Sequence, residues 1–140
     1  MTPTIRRAAP EDTDFIAWTI LAAQRGHRPR GWFDIALDRP EPECLAFVRQ
    51  ITLTPSRSWW HCSQFLIAEV DGIPAAALCA LHAGGAIEDA RSAIAEAASA
   101  ASLDATEMSA ISRRGAPIPA HAGCWATTTV GVKLGWLLRR

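Results

Sequence analysis

The sequence predicts an α/β (α+β) chain in which a short, mostly antiparallel sheet is packed with helices. Three observations lead there. Phe65-Leu66-Ile67-Ala68-Glu69-Val70 is an apolar run followed by Asp71-Gly72 and a second apolar run, Ala75 to Leu81. A type I′ turn needs positive φ at both central residues, and Asp-Gly tolerates it, so the two runs read as a hairpin. Cys44, Phe47, Val48 and Ile51 recur at i, i+3, i+4 and i+7, the spacing of one buried helix face. Upstream, Ile16, Ile20 and Ala23 mark a second helical stripe.

The remaining elements follow in order. Thr4 to Ala8 reads as an opening strand. Pro10-Glu11-Asp12 starts a helix that runs to about Gln24; proline is tolerated at the first helical position and acids there suit the helix dipole. Ala9 stands where a capping side chain is expected, and Gly26 and Pro29 end the helix. Residues 26–40 form a loop whose Trp32, Phe33 and Leu37 predict a partly helical piece folded back onto the body. Glu41-Pro42-Glu43 opens the next helix, and Pro55 closes that segment. Pro74 begins the returning strand, where a missing N–H does least harm.

Gly84-Gly85 precedes an alanine-rich helix with the face Ile87, Ala90, Ile94 and Ala97. A further helix starts at Asp104 and ends near Gly115. Glu107 occupies the capping-box position, and Leu103 and Met108 have the spacing of a hydrophobic staple. Residues 1–115 are expected to form one unit. Residues 116–140 read as an irregular tail broken by Pro117, Pro119, Gly123, Gly131 and Gly135, with strand propensity only at Thr127 to Val130.

Composition narrows the function classes. The chain of 140 residues has room for one domain, and 49% hydrophobic residues supply a core. Fourteen basic and fourteen acidic residues balance, so neither nucleic acid nor a membrane surface is an expected partner. The short basic run Arg25-Gly26-His27-Arg28-Pro29-Arg30 reads as a solvated loop that at most touches an anionic ligand. Cys44, Cys62, Cys79 and Cys124 include no CxxC pair, and the N-terminus lacks the apolar core of an export signal. The expectation is reduced thiols, a cytoplasmic protein and no metal, His61-Cys62 being the nearest approach to a ligand pair.

Two motifs carry a resemblance to a known family. Ile5-Arg6-Arg7-Ala8-Ala9-Pro10-Glu11-Asp12 is similar to the opening IRxAxxED of the GNAT superfamily of N-acetyltransferases. Phe65 to Leu78, with its Asp-Gly turn, resembles that family's second hairpin. The likeness covers residues 4–81 and implies a partial GNAT-like fold. For the intact family it implies acetyl transfer from acetyl-CoA to a small-molecule or peptide amine.

The family's acetyl-CoA site uses a loop of the form Q/R-x-x-G-x-G/A, whose backbone N–H groups and following helix N-terminus grip the pyrophosphate. No such run exists in the sequence; Arg113-Arg114-Gly115-Ala116-Pro117 is the nearest text, and its proline spoils it. The expectation is therefore a truncated form that binds no acetyl-CoA by itself and is inactive alone. Read one nucleotide out of phase, the codons of Ala126 to Gly131 can spell D-D-D-S-W, and those of Val132 to Leu138 a Glu followed by V-A-T. That is similar to the family's central strand, so a frameshift is the expected origin of the tail.

No residue earns a catalytic assignment. Glu69 reads as a solvent-facing or structurally paired acid, and Cys62 and Ser63 lack a base at recognisable spacing. By the resemblance, the first two helices and their connection wall the acceptor groove. His27, Trp32, Phe33 and Asp34 in that connection, with Trp59, Trp60 and His61 before the second strand, are the candidate acceptor residues. Aromatics with a carboxylate can hold an amine by cation–π and ionic contacts; alternatively they pad the sheet. The rival reading is a stand-alone interaction module, or homo-oligomer, built on an unpaired edge at the third strand.

Overall fold

The computed structural model describes residues 2–81, 86–116 and 131–135. Strand β1 (Pro3–Arg7) leads through a 3-10 turn (Pro10–Asp12) into α1 (Thr13–Arg25), α2 (Trp32–Leu37) and α3 (Glu41–Ile51). A second 3-10 turn (Cys62–Gln64) precedes β2 (Phe65–Val70) and β3 (Ile73–Leu81); α4 (Ala86–Ala100), α5 (Ala105–Gly115) and β4 (Gly131–Gly135) follow. The strands lie in chain order in one sheet, each antiparallel to its neighbour.

The expected hairpin is present, with Asp71 and Gly72 both at positive φ (52° and 76°) as a type I′ turn requires. Pro74 sits opposite Glu69 at a break in register, where Ala68 pairs with Ala76 and Ala75 is left over. A residue without an N–H is tolerated at such a bulge. At the 3-10 turn before α1, Ala9 offers no capping side chain, and only the returning half of a capping box forms, Asp12 Oδ2 accepting the Ala9 N–H at 2.8 Å.

The core lies between the helices and one face of the sheet. Ile16, Ala17, Ile20 and Leu21 of α1 and Cys44, Phe47, Val48 and Ile51 of α3 meet Phe65 and Ile67 of β2 and Ala77 and Cys79 of β3. Helix α4 lies against α3, and α5 against α2. The expected capping box at α5 forms in both directions, Asp104 Oδ1 accepting the Glu107 N–H and Glu107 Oε2 accepting the Asp104 N–H. Leu103 and Met108 both pack on the core.

Three expectations are revised. Ile87 is 61% exposed, and the buried face of α4 is Ala90, Ala93, Ala97 and Ala98; small residues let two helices approach closely, and Ile87 lies in the first turn beyond that contact. The tail is not wholly irregular, because Gly131–Gly135 pairs with β3 from Leu81 to Ala77. The edge of the third strand is therefore covered over that stretch, and β1 and β4 are the outer strands. Two glycines give this segment little local propensity, so pairing with a neighbour decides it. The expected strand propensity at Thr127 to Val130 lies outside the described residues. So do Gly84-Gly85 and most of the text on which the frameshift reading rests.

Candidate functional site

Helices α1 and α3 and the start of β3 enclose an open groove of about 650 Å³. Its floor is apolar: Phe15 and Trp18 from α1, Pro42 and Leu45 from α3, and Ile73-Pro74 from β3. The α1 core stripe is Ile16, Ala17, Ile20 and Leu21, which leaves Phe15 and Trp18 on the flank toward α3. Three residues apart on a helix, they are neighbours, and their rings stack at 6.2 Å between centroids with 24° between planes. Asp14 and Arg49 close one side, Arg49 Nε lying 2.8 Å from Asp14 Oδ1. The groove thus joins aromatic faces to an exposed carboxylate–guanidinium pair, which suits a ligand with an apolar body and a polar end.

The residues singled out in the sequence fall elsewhere. Trp32, Phe33, Trp60 and Trp59 do come together, as a chain of edge-on rings at 5.1, 5.3 and 4.9 Å. That chain runs inward. Phe33 is fully buried, Trp60 is buried, and the Trp32 Nε1–H donates to the Gly115 carbonyl at 3.2 Å, fastening α5 to α2.

Asp34 is buried and already has a cation. Arg25 donates to it from Nε (2.9 Å) and Nη2 (2.6 Å), and the Gly31 N–H adds a third bond at 2.8 Å. These donors hold its carboxyl below the usual range, Arg25 first, against the upward push of burial. Arg25 also reaches Glu41 and Arg30 reaches Asp38, so two of the three arginines of the basic run brace the α1–α2–α3 connection. His27 is exposed on the loop after α1.

His61 accepts the Ser63 N–H at 3.2 Å and lies 2.7 Å from Ser63 Oγ, all within one turn. Burial and nearby Arg57 push the imidazole pKa down, which favours the neutral ring. Burial pushes the Cys44 and Cys62 thiols up, which withholds the nucleophilic thiolate. Glu69 accepts from Arg6 Nε at 2.8 Å, and Arg6 also makes a two-point pair with buried Asp12 at 2.6 and 2.8 Å. Glu69 is a structural acid. Among the described residues no group of three His, Cys, Asp or Glu side chains is placed to hold a metal. No helix among them is long and apolar enough to cross a membrane.

Sequence reading overlooked Phe15, Trp18, Leu45 and Arg49. An aromatic pair at i, i+3 flanking a helix stripe was the available signal. Nothing local says that α3 and the hairpin close over it.

A diphosphate site needs free backbone N–H groups at a helix N-terminus. The first turns carry Asp14 in α1, Asp34 in α2, Glu41 and Glu43 in α3, Glu88 and Asp89 in α4, and Glu107 in α5. Two of them, Asp34 and Glu107, also accept the N–H of the residue before their helix, and Asp104 accepts the Glu107 N–H. Each repels a second anion. Among the described residues, every first helical turn thus carries negative charge where a phosphate would favour positive.

No protein-family model matches the chain, and no curated protein matches it. A crystal structure of an acetyltransferase does match in fold, with a TM-score of 0.58 and 19% identity over 72% of this chain and 50% of that one. The chain thus spans half the length of that acetyltransferase. Helices on an antiparallel sheet, in the order strand, helices, Asp-Gly hairpin, give this chain the acetyltransferase-like, GNAT-like α/β fold that its sequence led us to expect.

Proposed function

We propose that this chain is the acceptor-side portion of an N-acetyltransferase, with no diphosphate loop of its own and no activity alone. The single observation that carries the proposal is the acetyltransferase-like fold over 72% of the chain, paired with helix N-termini that are all acidic among the described residues. In this reading α1, α3 and the hairpin wall the acceptor. Phe15, Trp18 and Leu45 receive its apolar body, and its ammonium group takes the place of Arg49 on the exposed Asp14 carboxylate. Trp32, Phe33, Asp34, Trp59 and Trp60 shape that wall from behind. Acetyl-CoA supplies the acyl group when an intact enzyme binds it, and the residues of this chain contribute acceptor orientation.

The test is a thermal-shift titration of the purified chain with acetyl-CoA and, separately, with tryptamine and phenethylamine. A ligand that binds only the folded state must raise the melting point. The expected result is a concentration-dependent rise with the amines, lost in Trp18→Ala, and none with acetyl-CoA. A rise with acetyl-CoA would remove the cofactor statement; no response to either amine would remove the acceptor statement.

A further inference from the structure

Charge in the acceptor groove is confined to one end. Among the described residues that line it, only Asp14 and Arg49 are charged. Asp14 lies in the first turn of α1 and Arg49 in the last turn of α3, and they meet at 2.8 Å. The two helices thus pass each other head to tail along the groove. Trp18 is four residues on from Asp14, and Leu45 is four residues back from Arg49. At 1.5 Å of rise per residue, the apolar floor therefore lies about 6 Å along the helices from the charges. Phe15, Trp18 and Leu45 are half-buried, and Ile73 is 68% exposed, so the floor offers apolar surface to a ligand.

The Asp14–Arg49 pair is easily exchanged. Arg6, Arg25 and Arg39 each hold two carboxylates. Among the described residues, Asp14 and Arg49 have only each other as ion-pair partner, and their side chains are 80% and 53% exposed. Such a pair contributes little and separates at little cost. A simple amine that takes Asp14 leaves Arg49 without its anion, so one exposed pair replaces another. A ligand with a carboxylate beside its ammonium group serves both. Its ammonium pairs with Asp14, and its carboxylate meets the planar guanidinium fork of Arg49. One ion pair becomes two.

We propose that the groove takes a free aromatic α-amino acid, bound as its zwitterion. The inference rests on the acceptor reading and names the class of acceptor. In an α-amino acid both charged groups sit on one carbon, the closeness needed to enter between two side chains now in contact. One methylene then carries the ring, and its reach matches the single helical turn from the charges to Trp18 and Leu45. There the ring extends the stack that Phe15 and Trp18 already form. An aliphatic side chain has the reach without the stacking face. A basic or acidic side chain sets a further charge on an apolar floor.

Isothermal titration calorimetry of the whole chain with L-tryptophan, tryptamine and L-leucine tests this, tryptamine being tryptophan without its carboxylate. L-Tryptophan is expected to bind about three- to tenfold tighter than tryptamine, and L-leucine more weakly than L-tryptophan. Arg49→Gln is expected to weaken L-tryptophan and to strengthen tryptamine, because it removes the side chain that the amine must displace. A substitution that merely disturbed the fold would weaken both. Asp14→Asn is expected to weaken both ligands, with far-UV circular dichroism and melting point confirming the fold of each variant. Tryptamine binding as tightly as L-tryptophan overturns the zwitterion and leaves the acceptor reading standing. Equal losses of both ligands in Arg49→Gln do the same. L-Leucine binding as tightly as L-tryptophan overturns the aromatic class. If neither L-tryptophan nor tryptamine binds, the acceptor reading falls, and this inference with it.

Discussion

Arg25 and Asp34 meet edge to edge, Nε to Oδ2 at 2.9 Å and Nη2 to Oδ1 at 2.6 Å, and so tie the end of α1 to the first turn of α2. Two parallel bonds fix both planes. Asp34 is buried and the Arg25 side chain is 23% exposed, so loss of one partner strands the other in a poorly hydrated place. Asp34→Asn is expected to cost roughly 2–4 kcal/mol in urea unfolding. A cost under about 0.5 kcal/mol would show that the pair is incidental.

The same carboxylate and Asp12 set the acid limit of stability. Both have depressed folded pKa values, Asp34 chiefly through Arg25 and Asp12 chiefly through Arg6. A group whose folded pKa is lowered contributes stability that is complete above its unfolded value of about 3.9 and is lost as pH falls through the folded value. The melting point should therefore hold from pH 7 to about 5 and decline steeply below about 4. In Asp34→Asn the decline should be shallower. An equally steep decline in that variant would refute the assignment.

Phe33 is expected to behave as core. It is fully buried and touches Trp32 and Trp60 edge-on. Phe33→Ala should lower stability by about 3–5 kcal/mol, read by chemical unfolding with amine affinity measured on the fraction still folded. A stable Phe33→Ala chain that had merely lost amine binding would restore Phe33 as a contact residue.

Gly115 leaves no room for a side chain. A Cβ there would stand 2.9 Å from Cζ2 of Trp32, whose Nε1 donates to the Gly115 carbonyl. Gly115→Ala must push the indole aside, at a cost of about 1–3 kcal/mol. Gly115→Ala combined with Trp32→Phe should recover part of that loss. No recovery would locate the strain elsewhere.

The cap of α5 gives a cleaner case. Asp104 accepts the Glu107 N–H at 2.9 Å, and Glu107 returns a bond to the Asp104 N–H at 3.1 Å. Asp104→Ala is expected to cost about 1 kcal/mol, measured as faster hydrogen exchange across Ala105–Gly115. Unchanged exchange there would mean that docking on α2 alone holds the helix.

Elements governed by neighbours in sequence are legible from the order of residues alone. The hairpin at Asp71-Gly72, the Cys44–Phe47–Val48–Ile51 face and the Asp104/Glu107 cap depend on backbone preference and periodicity within a few residues, and all three are present. Ala9 already signals a half-made cap, and only the return bond from its N–H to Asp12 forms. What depends on distant partners is not legible. Asp34 has the same letter whether it waits for an amine or is claimed by Arg25, nine residues away. The two-glycine stretch 131–135 becomes a strand only because β3 offers its N–H and C=O groups. The groove of Phe15 and Trp18 exists only because α3 and the hairpin fold across it. Local dihedral preference and burial period are written residue by residue. Charge pairing, strand partnership and cavity shape arise only when segments far apart in the chain are brought within a few ångströms.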